Sequence, residues 1–274
     1  MSNPVFDNSQ VFGDPRKRPR TAGAGTVQTS AGQAGAQFAD AAALEQMYHG
    51  PTATTADTGR LTYDDVVIKT GGLLALLVVV AAGTWVLAPG LWIFGAVVGL
   101  VLGLVNAFKK SPSPLLITLY TVAQGVFLGG ISAFYEQAYN GIVGQAVLGT
   151  LAVFASALFL FRSGRVRVTP KFQRMLLLGM VGYLSYSVLN LVLMLFGVGD
   201  GAYGPLRSGP LGIAVGLFAV GLAAMSFVLD FDSIKRGVEK GVPAKLAWVA
   251  AFGLVVTLIW LYLELLRLLA IFRN

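Results

Sequence analysis

The stretch that decides the fold is residues 68–108, which read IKTGGLLALLVVVAAGTWVLAPGLWIFGAVVGLVLGLVNAF. It holds two apolar blocks that only Pro89 and Gly90 separate. An α-helix rises ~1.5 Å per residue, so a block of about 20 residues matches the ~30 Å hydrocarbon core of a bilayer. Two such blocks with so short a turn between them predict an antiparallel pair of transmembrane helices.

Five further apolar blocks of similar length follow along the chain. Together the blocks predict seven transmembrane spans, at residues 68–88, 91–108, 114–134, 142–161, 175–196, 210–229 and 246–272. Of the 274 residues, 55% are hydrophobic and only 12% are charged, which is about half the charge of an average soluble domain. We therefore predict an all-α membrane protein, a seven-helix transmembrane bundle at residues 62–274 whose surroundings are the lipid bilayer.

Residues 1–61 differ from the rest because no apolar block runs through them. They are rich in Gly, Ala, Ser, Thr and Gln, and they contain the basic cluster RKRPR at residues 16–20. Such a composition cannot bury enough apolar surface to offset chain entropy, so we expect a disordered basic tail in the cytosol. The cluster either helps to fix orientation as a solvated segment or binds anionic lipid or a protein partner. At the end of the tail, Thr62 and Asp65 have the spacing of a capping box, which predicts the start of the first helix.

The basic residues are distributed unevenly between the two ends of the predicted bundle. Of the 20 Lys and Arg residues, 17 lie before or at the start of the first span or in the second, fourth and sixth loops, and Arg207 is the only one in the alternate loops. The positive-inside rule then predicts a cytosolic N-terminus and, after seven spans, a C-terminus outside. The net charge of +7 is therefore attributed to topology and lipid head groups, and we expect no nucleic-acid partner.

The residue inventory excludes several classes of chemistry. There is no cysteine, and the one histidine is His49 in the tail, so thiol chemistry is excluded and histidine-based metal or triad chemistry nearly so. No nucleotide-binding Gly-Lys-Thr loop, His-Glu-x-x-His or Gly-x-Ser-x-Gly motif occurs. We expect no cofactor, no firm metal site and no enzyme activity. An intramembrane aspartyl protease would need carboxylates from two helices, whereas Asp230 and Asp232 share one helix end.

Ionisable residues within or at the ends of the spans are the candidates for function, since charge in a bilayer is costly. Asp230 and Asp232 lie at the cytosolic end of the sixth span, about 200° apart around a helix, so only one can face the bundle. Glu264 and Arg267 share a face of the seventh span. They form either a local ion pair or part of a proton or cation site. Gln124 in the third span either forms an interhelical hydrogen bond or serves function.

Two further patterns concern packing between helices. Small residues recur at four-residue spacing: Gly95, Gly99 and Gly103 in the second span, Gly125 and Gly129 in the third, and Gly212 and Gly216 in the sixth. Such patterns let helix backbones approach closely, and we expect them to serve packing within the bundle, with a homodimer face as the alternative. Asn190, beside Tyr183 and Tyr186 in the fifth span, is expected to form interhelical hydrogen bonds.

Several stretches resemble a bacterial branch of the Bax inhibitor-1 family, the transmembrane Bax-inhibitor-motif proteins. They are LDFDSIKRGVEKGVP at residues 229–243, AFGLVVTLIWLYLELLRLLAIF at 251–272, YTVAQGVFLGGISAFYE at 120–136, TYDDVVIKTGGLLALL at 62–77 and SNPVF at 2–6. The resemblance implies a central seventh helix with six helices around it, in a bacterial plasma membrane. It also implies a pH-sensitive calcium leak, gated by two aspartates on helices six and seven that share a proton. One bacterial member modulates a membrane-bound quality-control protease, and eukaryotic relatives suppress cell death.

The resemblance can be carried over residue by residue. Asp230 matches the helix-six aspartate, whereas Thr257 stands where the second aspartate is expected and Gln124 stands where a glutamate is expected. Glu264 is two turns beyond Thr257, so it cannot simply replace the missing carboxylate. The implied function is a calcium or cation leak with an incomplete aspartate pair. Asp230 is then the pH-sensitive carboxylate and transient calcium ligand, and Asp232 and Glu264 are accessory sites. The alternative is a non-conducting protein that regulates a membrane protease or another membrane assembly, with the tail as its docking element.

Overall fold

All seven predicted spans are helices. The structure is a computed structural model that describes residues 59–109, 111–164, 168–198 and 204–273. The helices are α1 (Tyr63–Leu87), α2 (Trp92–Phe108), α3 (Pro114–Ala138), α4 (Ile142–Arg162), α5 (Pro170–Leu195), α6 (Gly209–Glu239) and α7 (Ala247–Arg273). Each is long and apolar enough to cross a membrane, where α2 and α7 are taken together with the short 3-10 turns that precede them, at Pro89–Leu91 and Ala244–Leu246. The predicted seven-helix membrane fold is therefore confirmed. The predicted disordered tail lies almost wholly at residues 1–58, outside the described part of the chain, and stays a prediction.

Helix boundaries follow local caps as well as apolarity. Helix α1 begins five residues before its predicted apolar span because Thr62 and Asp65 form the expected capping box. In this box the side chain of each residue accepts a hydrogen bond from the backbone N–H of the other, both at 3.3 Å. Helix α6 continues ten residues past the predicted end of its span, to Glu239. The added turns contain Lys235, Arg236 and Glu239, which are good helix formers but not apolar. Hydropathy alone therefore gave the membrane-spanning part of α6 and missed its polar extension.

Close backbone approach between α1, α2 and α3 is the packing that two of the glycine patterns predict. A Cβ atom on Gly95 of α2 would lie 2.6 Å from the backbone nitrogen of Phe127, and one on Gly125 of α3 would lie 2.8 Å from Cβ of Val80 in α1. Such distances are too short for any side chain, so glycine is required at both positions. The predicted role of these glycines in packing within the bundle is confirmed, and α3 is held between α1 and α2.

Helix α7 contributes to every cluster of the hydrophobic core. It packs against α1, α3, α4 and α6, and its buried residues Leu261, Val255 and Leu266 belong to three separate core clusters. Helices α2 and α5, by contrast, have only two buried residues each. The expectation that six helices surround α7 stays a prediction. Because α7 has many buried residues, a polar group on one of its packed faces lies inside the protein.

The segment before α1 lies at the same end of the bundle as the α6–α7 connection. The backbone N–H of Leu61 donates to the carbonyl of Val242 at 2.7 Å, and that of Ala244 donates to the carbonyl of Gly59 at 2.8 Å. These bonds join the entry of the first helix to the entry of the last. They therefore hold together the two chain segments that lead into α1 and α7.

Candidate functional site

The first polar site joins α6 to α7 through one carboxylate and one hydroxyl. Asp230 on α6 is half-buried, and its Oδ2 accepts a hydrogen bond from Thr257 Oγ1 on α7 at 3.0 Å. Thr257 is itself buried, and its Oγ1 also lies 3.1 Å from the carbonyl oxygen of Gly253, one turn earlier on the same helix. The residue that stands where a second aspartate was expected therefore faces Asp230 directly.

This arrangement offers hydrogen bonds to both protonation states of Asp230. A threonine hydroxyl has one proton to donate and two lone pairs to accept with. When Asp230 is ionised, the Thr257 proton points to the carboxylate. When Asp230 is protonated, its own O–H can donate to Thr257 Oγ1, while the threonine proton turns to the carbonyl of Gly253. A proton can thus enter or leave without stranding a buried donor.

No cation compensates Asp230 within the part of the chain that the structure describes. The ion pairs found there involve other carboxylates, and none has a Lys or Arg nitrogen within 4.0 Å of Asp230. Its neighbour Asp232 is paired on its own helix, with Arg236 Nη1 at 2.6 Å. The two aspartates therefore have different partners, as their angular separation on α6 requires.

A metal ion at Asp230 would have few strong ligands. Among the described residues, no three His, Cys, Asp or Glu side chains come together in a way that could hold a metal. The oxygens near Asp230 are the Thr257 hydroxyl and the Gly253 carbonyl. Calcium takes 6–8 oxygen ligands at stable sites, so these groups would suit only a weak and transient contact.

Gln124, the third family position considered, does not belong to this site. It lies on α3, and its side chain packs against Gly99 of α2, where an added Cβ would meet Nε2 of Gln124 at 2.7 Å. Its Oε1 is buried without a hydrogen-bond partner among the residues described. Gln124 therefore serves the α2–α3 contact, whereas Asp230 and Thr257 lie between α6 and α7.

The second polar site surrounds Glu264 on α7, a residue that is only 3% exposed. Arg267 Nη1 lies 3.0 Å from each carboxylate oxygen, which confirms the local ion pair that their spacing allowed. Two groups not predicted from the sequence complete the site: Arg207 Nη1 lies 3.8 Å from Oε1, and the hydroxyl of Tyr183 donates to the same oxygen. We call Tyr183, Ser187, Arg207, Glu264 and Arg267 the Glu264 cluster.

Arg207 enters this cluster from the α5–α6 loop. The loop is held by α5: the backbone N–H of Leu206 donates to Asn190 Oδ1 at 3.0 Å, and the hydroxyl of Tyr186 donates to the Leu206 carbonyl. Arg207 Nη2 then donates to the hydroxyl of Tyr183 at 2.8 Å and to Oγ of Ser187. From the sequence, Arg207 was expected only as a charge in a loop. Arg207 is the one Lys or Arg in the alternate loops of the sequence, and this isolation was the signal that could have drawn attention to it.

An apolar layer separates the two sites along α7. Thr257 and Glu264 are seven residues apart, which is ~10.5 Å of helical rise. Between them Leu258, Ile259 and Leu261 are all buried. Thr257 and Glu264 therefore belong to two distinct sites, one between α6 and α7 and the other reaching α5 and its loop.

This architecture defines the chain as a multi-pass integral membrane protein with carboxylates packed between its last helices. The model of the family described as Bax inhibitor 1 like matches residues 3–274. The chain therefore belongs to that family, and the resemblance drawn from the sequence is confirmed. A comparison with curated proteins found no match.

Proposed function

We propose that the protein is a pH-sensitive cation leak pathway in a bacterial plasma membrane, with its N-terminus in the cytosol and its C-terminus outside. The observation that supports this most is the Asp230–Thr257 contact. It places a carboxylate with a neutral hydrogen-bond partner between two helices of a membrane protein. Intramembrane carboxylates of this kind typically mark ion or proton pathways.

The chemistry of the site suits a transient cation. An ionised Asp230 attracts a cation such as calcium, which prefers oxygen ligands, and the Thr257 hydroxyl and Gly253 carbonyl add neutral oxygens. Protonation removes the negative charge while the hydrogen bonds rearrange. Flux should then fall as the pH is lowered, because the neutral carboxyl no longer attracts the ion. Asp232 and Glu264, the accessory candidates, are already paired with arginines.

Flux from liposomes tests this proposal. The purified protein is reconstituted into calcium-loaded liposomes, and release is measured between pH 5 and pH 8. We expect release that is smaller at low pH and that Asp230→Asn reduces at every pH. Asp232→Asn is the matched control, because it removes an equal charge two residues away from a carboxylate that Arg236 already compensates. If the protein gives no flux at any of the tested pH values, or if Asp230→Asn and Asp232→Asn give equal flux, a leak through Asp230 loses its support.

A second function is favoured by the replacement of the expected aspartate with Thr257 and by the apolar layer between the two polar sites. In this alternative the protein does not conduct, and it regulates a membrane protease or another membrane assembly by binding it. Affinity purification from native membranes should then recover a membrane partner that is lost when residues 1–60 are deleted. Recovery of the same proteins with and without those residues would contradict a docking role for the tail.

A further inference from the structure

A large cavity lies between α1, α3, α4 and α7. Its volume is about 480 Å³, which falls in the range of about 300–1,000 Å³ that is usual for ligand sites. The lining is almost wholly apolar and includes Leu77 of α1, Leu128 of α3, Leu151 of α4 and Leu258 of α7. Protein interiors are close-packed, and the lining of an empty space loses the contacts that a neighbouring atom would make. The cavity therefore favours an apolar occupant.

The cavity opens sideways to the surroundings of the bundle, between α1 and α4. Both helices pack on α7, but they are not closely packed on each other. At the rim, Val78 of α1 is 63% exposed and Leu151 of α4 is 55% exposed. In a bilayer such side chains contact lipid chains, which are as apolar as leucine. The opening is therefore continuous with the lipid-facing surface of the bundle, and a lipid chain can enter it without crossing water.

The length of the cavity matches one leaflet of a bilayer. Its lining on α1 runs from Leu74 to Trp85, which is ~16 Å of helical rise and about half of the ~30 Å hydrocarbon core. Trp85 lies two residues before the end of α1 at Leu87, where a membrane interface is expected and where tryptophan is common. The cavity therefore runs from the head-group region to the middle of the bilayer, which is the path of one acyl chain.

A hydrogen-bonded pair of hydroxyls interrupts the apolar lining. Ser132 of α3 and Tyr262 of α7 both line the cavity, and their side-chain oxygens lie 2.6 Å apart. Ser132 is only 5% exposed. Two hydroxyls carry two protons, and the bond between them uses one. Neither hydroxyl has another partner among the residues that the structure describes. One proton of the pair is therefore left for an acceptor that an occupant of the cavity would supply.

The hydroxyl pair lies toward the Trp85 end of the cavity. On α3 and α7 the hydroxyls lie one turn beyond Leu128 and Leu258, and both helices cross the bundle in the same direction as α1. Ser132 is also six residues before the end of α3, which is ~9 Å of rise. Helix α3 has 25 residues, so at ~37 Å it is longer than the ~30 Å hydrocarbon core. The cavity thus has a polar group near the boundary of the head groups and apolar side chains deeper in.

We propose that the cavity binds one ester-linked acyl chain of a membrane glycerolipid, whose ester carbonyl accepts the remaining proton of the Ser132–Tyr262 pair. In a glycerolipid the ester lies between the head group and the chain, so acceptor and chain follow each other in the order that the cavity requires. No Lys or Arg is among the described residues that line the cavity, which favours a neutral ester over the carboxylate of a free fatty acid. This proposal does not depend on the cation leak, because it concerns a different part of the bundle.

A matched pair of lipids tests the assignment. The full chain in detergent is titrated with dimyristoyl phosphatidylcholine, with its dialkyl ether analogue of the same chain length, or with sodium myristate, and bound ligand is counted by native mass spectrometry. The two lipids differ only in the ester carbonyls. We expect the ester lipid to bind about fivefold more tightly than the ether lipid, which is the effect of one neutral hydrogen bond. Equal binding of the two lipids, or equally tight binding of myristate, would overturn the assignment.

Removal of the hydroxyls tests whether they are the source of the preference. Either hydroxyl can hold the remaining proton, so both are removed together, and Ser132→Ala/Tyr262→Phe should bind the ester and ether lipids equally. Thr150→Val is the matched control, because Thr150 lines the same cavity but its hydroxyl already donates to the Ala146 carbonyl at 2.7 Å. This control should keep the fivefold preference. A preference that persists in the double variant, or that Thr150→Val also loses, would overturn the site.

A variant that fills the cavity tests the location without changing the hydroxyls. Ala82 of α1 lines the cavity and is exposed, so Ala82→Trp should block its mouth and weaken binding of the ester lipid by about tenfold or more. Ala75→Trp is the control, since Ala75 is exposed on the same helix and its side chain points toward the start of α1, away from the mouth. Equal binding of the ester lipid to the two variants would place the lipid elsewhere and overturn the proposal.

Discussion

Helix α7 has two polar sites in which a carboxylate is compensated in opposite ways. Asp230, which reaches α7 from α6, has a neutral hydroxyl as its partner. Glu264, on α7 itself, has two guanidinium groups and a phenol. A fixed ion pair keeps its charge and ties elements together, whereas a carboxylate with a neutral partner can change its charge. Burial between helices therefore does not by itself identify a carboxylate that can change its charge. Its partners do.

Of the two sites, the Glu264 cluster should matter most for stability. Glu264→Gln leaves Arg207 without a compensating charge while the Arg207 side chain stays buried. Removing one partner of a buried ion pair typically destabilises a protein by about 3–5 kcal/mol. We expect a large fall in the thermal unfolding midpoint in detergent, whereas Asp230→Asn, which leaves no charge unpaired, should change it little. Similar midpoints for the two variants would show that the two carboxylates do not differ in how much stability depends on their charge.

Arg207→Gln should have the next largest effect, and it should be local. The arginine joins the α5–α6 loop to Tyr183 and Ser187 on α5 and to Glu264 on α7. Its loss leaves the buried carboxylate with Arg267, so we expect a destabilisation of about 2–4 kcal/mol. Hydrogen exchange should increase first at residues 204–208 and along α5.

The control for this local effect is at the other end of α6. Arg236 pairs with Asp232 on the same helix, and its side chain is 42% exposed. Exposed pairs contribute little, about 0–1 kcal/mol, so Arg236→Gln should leave exchange in α5 unchanged. If Arg207→Gln leaves it unchanged as well, Arg207 does not hold the loop.

Most of the fold could be predicted because membrane spans depend on local composition. The apolar blocks predicted seven helices, the capping box predicted the start of α1, and the spacing of Glu264 and Arg267 allowed their ion pair. These features depend on residues close in sequence. The polar extension of α6 was missed because hydropathy reports burial in lipid and not helix formation.

The candidate site was less predictable because it depends on how helices and loops meet. The family resemblance aligned Thr257 with a missing aspartate, and the structure brings it to Asp230. Nothing in the spacing placed Arg207 against Glu264, since that contact depends on the path of a loop which Asn190 and Tyr186 hold. Gln124 was grouped with the site by the same resemblance, yet it packs against α2, because which face of α3 meets which helix is a tertiary property.

A substitution at Thr257 should have a small effect on stability and a larger effect on the response to pH. Thr257→Val removes the hydroxyl with little change in shape, while Thr257→Ser keeps it. Loss of this one hydrogen bond should cost about 1 kcal/mol, because Asp230 is only half-buried and water can replace the donor. The functional effect should be larger, since Thr257→Val removes the group that exchanges hydrogen bonds with Asp230 when a proton is gained or lost. In the liposome assay we expect the pH dependence of release to shift in Thr257→Val and to be retained in Thr257→Ser. If both variants keep the wild-type pH profile, the hydroxyl takes no part in the response, and Asp230 and Glu264 differ only in charge compensation.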